Sequence, residues 1–223
     1  MSDGTLTPPP PPTCVPLGDQ AVTVVFGDTL SSATHHRVLS LAQRLEATPR
    51  TELLDIVPAY TTLSVWYDPT KSTYEAVCNR LLTLSLEANE DLSHLESRDW
   101  VVPVRYNGPD LVSVAERTGL SIEEVITRHT ERSYKVYLVG FIPGFPFLGE
   151  LHPDLLLPRR EKPRTRVPAG SVAIAGFQTG IYPLETPGGW HILGHTDIRP
   201  FDLTREPAVL FRTGDVVRFE ALT

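Results

Sequence analysis

The sequence predicts an α+β N-terminal domain followed by a mostly-β C-terminal domain. In the first half of the chain, runs of β-branched residues alternate with segments whose apolar residues recur at helical spacing. Beyond His129, glycine and proline separate short apolar runs, which is typical of a closed barrel or a sandwich of short strands. We place the boundary near residue 98, so that the domains span residues 14–98 and 99–223.

Length and composition are those of a globular protein. The chain has 223 residues, of which 41% are hydrophobic and 21% are charged. Its formal net charge of -7 argues against a nucleic-acid partner, because phosphate binding needs a basic surface. With two cysteines, no signal peptide and no long apolar run, we expect a cytoplasmic protein without a disulfide framework, a metal site or a membrane partner.

Residues 1–13 form a proline-rich segment ahead of the first domain. Five consecutive prolines favour an extended polyproline helix with no core to bury, so we predict a disordered tail. The alternative, a ligand for a proline-recognition domain, is less favoured because no arginine or lysine lies nearby.

The first domain is predicted to begin with a strand and a helix. The β-branched run QAVTVVF from Gln20 predicts the strand. Residues 34–47 predict the helix, because Val38, Leu41 and Leu45 recur at helical spacing before Thr48 and Pro49 end it.

Two further strands and a second helix complete this domain. The runs LLDIVPAY and TLSVWYD predict a hairpin. Ser72 and Glu75 then have the spacing of a capping box, and they open a helix that carries Val77, Leu81 and Leu84. The order of strand, helix, two strands and helix indicates a small sheet with helices on one face, comparable to half or more of a ferredoxin-like domain.

The second domain is predicted to open with a strand near Trp100 and two short helices. The helices are separated at Gly119, and Ser121 with Glu124 forms a second capping box. This spacing is also typical of a helix-turn-helix, but its second helix would present Glu123 and Glu124 to phosphates. We therefore favour a structural helical hairpin that covers a barrel.

A cluster of basic residues precedes the predicted strand VPAGSVAIAG. The run RREKPRTR contains Arg159, Arg160, Lys162, Arg164 and Arg166 beside one glutamate. A planar guanidinium can bond two oxygens of a carboxylate or phosphate at once. We select Arg164 and Arg166, because they lead directly into the strand, and we expect Arg159 and Arg160 at the surface. The alternative for each is a loop arginine paired with Glu150, Asp154 or Glu161.

Three polar residues lie on or between the later strands and could line a concave face of the barrel: Gln178, Tyr182 and His191. His191 can move a proton near neutral pH. Its alternative is a partly buried histidine bound to a backbone carbonyl, and for Gln178 and Tyr182 the alternative is a structural hydrogen bond at a turn. The loops PGFPF and PGGW either aim backbone donors at a ligand or form an interface, because Phe145, Phe147 and Trp190 are costly to leave in water.

Beyond these local signals, the segments GFIPGFPFLGEL and PRREKPRTRVPAGSVAIAGFQTGIYPLETPGGWHILGHT, with a following FD, resemble the signature of the B subunit of 5-oxoprolinase. The same family includes subunit 1 of allophanate hydrolase, a portion of urea carboxylase and an inhibitor of a sporulation histidine kinase. The resemblance extends upstream through GPDLVSVAERTGLSIEEVITRHT and VPAYTTLSVWYDP. The chain departs from the pattern at His195, where the family has an arginine.

The resemblance implies a cyclophilin-like barrel for the second domain and an enzyme complex for the function. With 5-oxoprolinase subunits A and C as partners, and C in direct contact, the complex would hydrolyse 5-oxo-L-proline to L-glutamate using ATP and magnesium. This chain has no recognisable nucleotide-binding motif, so we expect it to be inactive alone. We assign His191 and Arg166 as catalytic and Arg164, Gln178 and Tyr182 as substrate-binding, with cofactor-binding residues unknown. The alternative is a non-enzymatic inhibitor that binds a sensor histidine kinase.

Overall fold

The computed structural model describes residues 10–49, 51–86 and 97–222 of a mixed α/β chain. The chain divides into two compact units, Met1–Leu95 and Glu96–Thr223, close to the boundary that the sequence places near residue 98. The predicted tail lies mostly outside the described residues. Among those described, every helix is too short or too polar to cross a lipid bilayer.

The first unit is an antiparallel sheet with two helices. Its elements are β1 (Thr13–Pro16), β2 (Ala21–Val25), α1 (Ser32–Ala47), β3 (Leu53–Ala59), β4 (Thr62–Tyr67) and α2 (Tyr74–Leu86). The strands lie in the order β1, β2, β4, β3, and each neighbouring pair is antiparallel. The predicted order of elements is present, but β1 is an additional edge strand. Its first residue, Thr13, was assigned to the disordered tail, and that assignment is wrong at this position.

Both helices of the first unit bury the apolar residues that predicted them. Val38, Leu41 and Leu45 of α1 are fully buried in the same core as the sheet residues Leu63 and Val65. Helix α1 begins after Ser31, whose side chain accepts a hydrogen bond from the Thr34 N–H, and it ends at Thr48 as predicted.

The start of α2 differs from the prediction by one residue. The backbone N–H of Ser72 donates to the Asp68 carbonyl at 3.2 Å, so Ser72 belongs to the preceding turn. Thr73 takes the capping position instead, because its hydroxyl accepts from the Ala76 N–H at 3.3 Å. The predicted capping box of Ser72 and Glu75 is therefore wrong, although the helix is present.

The second unit contains two helices and a strongly curved sheet. Its elements are β5 (Asp99–Val104), α3 (Leu111–Thr118), α4 (Ile122–Thr130), β6 (Ser133–Val139), β7 (Pro146–Gly149), a short 3-10 helix (Pro153–Leu155), β8 (Arg164–Val167), β9 (Ser171–Ala175), β10 (Gln178–Ile181), β11 (Thr186–Gly188), β12 (His191–His195) and β13 (Val216–Ala221). Strands β8 and β11 form a separate ribbon.

The seven remaining strands form a nearly closed barrel. They lie in the order β12, β9, β10, β7, β6, β13, β5, and only β13 and β5 run parallel. The two ends of this sheet meet at Arg105 and His195, which exchange backbone hydrogen bonds of 2.8 and 2.9 Å. This single bridge brings the two end strands, β12 and β5, together and leaves the barrel nearly closed.

The helical pair packs on the barrel, as the structural interpretation predicted. Helix α3 contacts β12, and α4 contacts β13. Gly119 ends α3 with a left-handed φ of 72°, which glycine adopts without steric cost. The second predicted capping box is confirmed, since Ser121 and Glu124 each accept a hydrogen bond from the other's backbone N–H. Val114 and Val125 are fully buried beneath the pair.

The aromatic residues that suggested an interface form part of a second core in this unit. Phe145 and Trp190 are 2% and 5% exposed, and their ring centroids lie 5.4 Å apart in edge-to-face contact. Phe147 is partly buried against the same cluster. The interface interpretation is therefore wrong for Phe145 and Trp190, whose apolar surface the barrel itself covers.

Candidate functional site

Asp110 is the centre of a buried ion network in the second unit. Its carboxylate accepts hydrogen bonds from Arg160 at 2.6 Å and from both terminal nitrogens of Arg164 at 2.8 and 2.7 Å. The backbone N–H of Ile192 also donates to it, at 2.7 Å. We call these four groups the Asp110 network. It joins the start of α3, the loop before β8, the first residue of β8, and β12.

The local sequence explains how Asp110 reaches this position. Gly108 passes so close to β12 that a Cβ atom there would lie 2.3 Å from the Ile192 carbonyl oxygen, so only glycine fits. Backbone hydrogen bonds from Gly108 to Leu193 and from Asp110 to Ile192 hold the segment against the strand. The Asp110 side chain makes no helix-capping bond and is free to face the arginines.

The electrostatics of the network favour the ionised carboxylate. Asp110 is 3% exposed, and burial alone would raise the pKa of its carboxyl group. Hydrogen bonds from Arg164 and from the Ile192 N–H, with the charges of Arg164 and Arg160, outweigh burial and hold the pKa below its ordinary value. Two guanidinium groups therefore share one fully hydrogen-bonded carboxylate.

Two predictions about the basic run change with this geometry. Arg160 was expected at the surface, but it is only partly exposed and is tied to Asp110. The partner of Arg164 is also Asp110, and not Glu150, Asp154 or Glu161. Arg159 is exposed, as expected.

His191 lies next to this network at the start of β12. It is 2% exposed, and its Nε2 lies 2.9 Å from the Pro158 carbonyl oxygen and 3.4 Å from Nη1 of Arg117. Because a carbonyl can only accept, Nε2 carries the hydrogen and donates it to Pro158. Such a buried histidine bound to a backbone carbonyl has the geometry of the structural alternative weighed above. It leaves Nδ1 as the only nitrogen with a lone pair.

Arg166 lies apart from the Asp110 network. Its side chain is 75% exposed, and Nε pairs with the Glu185 carboxylate at 2.6 Å. The structure thus places Arg164 and His191 in one region, whereas the side-chain partner of Arg166 is Glu185, which contacts neither of them. An arginine this exposed can reach a ligand or a partner only at the surface of the unit.

Tyr182 and Gln178 are both buried in the barrel. Burial raises the pKa of the Tyr182 phenol, although a hydrogen bond from the Trp190 backbone and the charges of Arg159 and Arg164 oppose the shift. Its hydroxyl occupies the space that a side chain at Gly188 would need, since a Cβ there would lie 2.3 Å from it. Gln178 is 8% exposed and stands on β10 between Gly149 and Ala175.

A separate cavity of about 260 Å³ opens at the other end of β12. Residues 169–170, Pro183 and residues 195–199 form its walls, and we call it the His195 cavity. Strand β12 has five residues, so at roughly 3.3 Å per residue the cavity lies roughly 13 Å along the strand from His191. The sequence analysis placed candidate residues near His191 and did not predict a cavity at the His195 end of the strand.

The described side chains form no cluster of metal-ligating groups. Within residues 10–49, 51–86 and 97–222, no three histidine, cysteine or acidic side chains come together as metal ligands would. Asp110, the most buried acid near the candidate residues, is already saturated by arginines.

Two residues of this region, Asp110 and Arg117, were not singled out from the sequence, and Arg160 was assigned to the surface. The sequence GPD before a helix is typical of an ordinary helix start. The partners of Asp110 lie 50, 54 and 82 positions further along the chain, and no local pattern predicts these contacts. Arg117 is an exposed residue of α3, and only the fold places it beside His191.

Comparison with known proteins places the chain in a family. Residues 12–211 match the family described as carboxyltransferase domain, subdomain C and D. The chain is similar to the B subunit of 5-oxoprolinase from Bacillus subtilis (strain 168), with 39% identity over 91% of this chain and 90% of that protein. It is also similar to the B subunit of 5-oxoprolinase from Escherichia coli O157:H7, with 41% identity over 92% of this chain and 94% of that protein.

A solved structure supports the same relationship. The crystal structure of a protein designated TTHA0988 shares 45% identity and a TM-score of 0.82 over 92% of this chain. This chain spans only 40% of the length of that protein. Together with the two bacterial relatives, the match over nearly the whole chain shows that it belongs to the carboxyltransferase-domain family that contains the B subunit of 5-oxoprolinase.

Proposed function

We propose that the chain is the B subunit of an ATP-dependent 5-oxoprolinase, which acts with subunits A and C to hydrolyse 5-oxo-L-proline to L-glutamate. The observation that carries this proposal is the similarity to two bacterial proteins of that name over at least 90% of both chains. A match of this extent includes both units of the chain, so it does not rest on a shared fold alone.

The chemistry requires activation of a stable lactam. One water is added across the lactam C–N bond, with hydroxyl going to the carbonyl carbon and hydrogen to the nitrogen. A second water is used when ATP is hydrolysed to ADP and phosphate. Negative charge develops on the lactam oxygen during attack, and fixed cations or N–H donors lower the energy of that state. Arginines held in place by the protein can supply such donors.

The geometry suggests different roles for the proposed site residues. Arg164 is fixed by two bonds to Asp110, so it is already oriented before a ligand arrives. Arg166 faces solvent and would act only where a partner subunit completes the site. His191 is buried against Pro158, so any role in catalysis would pass through the position of the Pro158 loop and Arg117.

Reconstitution tests the proposal directly. The purified chain is mixed with candidate subunits A and C, and co-purification is followed by an assay for glutamate formed from 5-oxo-L-proline with ATP and magnesium. We expect a stable complex whose kcat/KM falls about tenfold or more in Arg166→Ala and in His191→Ala. Arg218→Ala, an exposed arginine on β13, is the matched control and should retain parental activity.

Each other outcome has a defined meaning. If the three subunits form a complex but release no glutamate, the proposed reaction is wrong. If activity is present and unchanged in both variants, the chain is a structural subunit, and the roles proposed for Arg166 and His191 are wrong. If no complex forms, titration of a sensor histidine kinase with the chain tests the inhibitor alternative by loss of autophosphorylation.

A further inference from the structure

The His195 cavity has the size and the side chains of a small-ligand site. We propose that it binds a five-membered cyclic amide that carries a carboxylate, with Arg199 and His195 facing the carboxylate and Asp197 accepting the amide N–H. This inference rests on the proposed function and names the place where its substrate binds. Arg164, Gln178 and Tyr182, which the sequence analysis assigned to substrate binding, do not line the cavity. The two assignments of the substrate are therefore alternatives, and the variants described below distinguish them.

The dimensions suit a ligand of this size. The cavity holds about 260 Å³, which is below the roughly 300–1,000 Å³ that drug-sized ligands occupy. Ala169, Pro183 and Ile198 contribute apolar surface that can cover ring methylenes. The remaining polar side chains stand on one short segment, residues 195–199.

The charges in the cavity can bind both polar ends of such a ligand. Arg199 is 77% exposed, and its contact with Asp202 is long, at 3.8 Å, so the guanidinium can turn towards a carboxylate. Asp197 lies 3.6 Å from Nε2 of His195 and accepts a 2.9 Å hydrogen bond from Arg105. The Arg105 contact orients the Asp197 carboxylate and leaves lone pairs for an amide N–H.

Close approaches and backbone hydrogen bonds hold Gly170 against residues 195–196 at one side of the cavity. Gly170 has a φ of +80°, and a Cβ there would lie 2.4 Å from the His195 ring and 2.5 Å from the Thr196 carbonyl oxygen. Its N–H donates to Tyr182 and its carbonyl accepts from the Thr196 N–H. The Arg105–His195 bridge fixes the opposite side. The backbone N–H groups of Gly170, His195 and Thr196 are therefore already paired, so the proposed contacts of the ligand at these residues are made by side chains.

Binding to the full chain, measured by calorimetry, tests the inference with a set of related ligands. 5-Oxo-L-proline should bind, whereas 2-pyrrolidinone, which lacks the carboxylate, and L-proline, which lacks the amide, should each bind about tenfold more weakly or not at all. Arg199→Ala should weaken 5-oxo-L-proline about tenfold and leave 2-pyrrolidinone unchanged. Arg218→Ala, which removes an exposed arginine elsewhere, should change neither.

Two variants separate contact with the ligand from loss of an ion pair. Asp197→Ala removes the proposed acceptor together with its pairing to Arg105, whereas Arg105→Ala removes the pairing and keeps the carboxylate. We expect Asp197→Ala to lose binding by about tenfold and Arg105→Ala to lose much less. Equal losses would mean that the ion pair, and not contact with the ligand, is what binding requires, and the assignment of Asp197 would be withdrawn.

The same variants in the reconstituted complex distinguish this inference from the proposed function. A complex that forms glutamate with KM unchanged in Arg199→Ala and Asp197→Ala overturns the cavity assignment and leaves the function standing. A chain that binds 5-oxo-L-proline through these residues, in a complex that does not hydrolyse it, supports the cavity and overturns the function. If the chain binds nothing, an increase of KM in both variants still supports the site, and an unchanged KM overturns it.

Discussion

Two guanidinium groups share the single buried carboxylate of Asp110. The contribution of Asp110 to stability therefore depends on its neutralising two positive charges at once. Arg160 and Arg164 have side chains that are 32% and 23% exposed, while the Asp110 side chain is 4% exposed. If an uncharged amide replaces the carboxylate, two cations remain close together without an anion between them, and only one of the two positions still holds an oxygen that can accept from the arginines or from the Ile192 N–H. Breaking a buried pair in this way is much more costly than breaking an exposed one.

We therefore predict that Asp110→Asn lowers the free energy of unfolding by roughly 3 kcal/mol. Glu185→Gln is the matched control, because Glu185 pairs with Arg166 at the surface, where the side chains are 48% and 75% exposed. That change should stay within about 1 kcal/mol. Urea denaturation of both variants and the parent gives the comparison. Similar small losses for the two variants would show that the Asp110 network does not stabilise the fold.

Between helix and barrel, His129 joins three elements through one buried imidazole. Nδ1 lies 2.6 Å from the Tyr106 hydroxyl, and Nε2 lies 2.8 Å from the Thr179 hydroxyl on β10. Thr179 donates its own hydrogen to the Ala173 carbonyl at 3.2 Å, so it accepts from Nε2–H, and Tyr106 donates to Nδ1. Both nitrogens of the neutral ring are thus satisfied, and burial lowers the pKa of His129 to about 3.

This arrangement predicts acid sensitivity with a defined sign. Below pH 6.5 the unfolded chain protonates His129, whereas the folded chain does not until about pH 3, so stability falls as pH decreases through that interval. The share of His129 amounts to about 2 kcal/mol at pH 5 relative to pH 7.5. Urea unfolding at both pH values should show a smaller decrease for His129→Gln than for the parent. An equal decrease in both proteins would contradict the assignment.

Helix ends were predicted correctly where the residues that determine them lie close together in the sequence. Gly119 and the capping box of Ser121 and Glu124 lie within one turn of each other, and the sequence predicted them correctly. The predicted cap at Ser72 was wrong by one residue, because the Ser72 N–H is hydrogen-bonded in the turn at Asp68. Thr73, which is also a favourable capping residue, takes the position instead.

The candidate site was less predictable because its contacts are between distant segments. Arg164 was selected for leading into a strand, but its partner, Asp110, lies 54 positions away and had no local signal. Arg166 follows Arg164 by two residues and faces solvent instead. Two residues of one strand therefore differ in environment, because Arg164 is held by Asp110 from a distant segment whereas Arg166 pairs with Glu185 at the surface.

At the scale of the whole molecule, the two units have separate hydrophobic cores. One cluster draws only on residues 22–81, and the other two draw only on residues 102–219. All strands of the nearly closed barrel lie between Asp99 and Ala221, and the bridge that closes it joins Arg105 to His195. The residues that line the His195 cavity belong to the second unit as well.

We therefore predict that residues 96–223, produced alone, fold as an independent domain. The fragment keeps its own core, its barrel closure and the Asp110 network, so urea should unfold it in one cooperative transition. Because the cavity is complete within the fragment, it should bind 5-oxo-L-proline with the affinity of the full chain. Arg199→Ala in the fragment provides the matched control for specific binding. A fragment with no cooperative transition would contradict the domain boundary, and a folded fragment that fails to bind, beside a full chain that does, would mean that the first unit also contributes to the site.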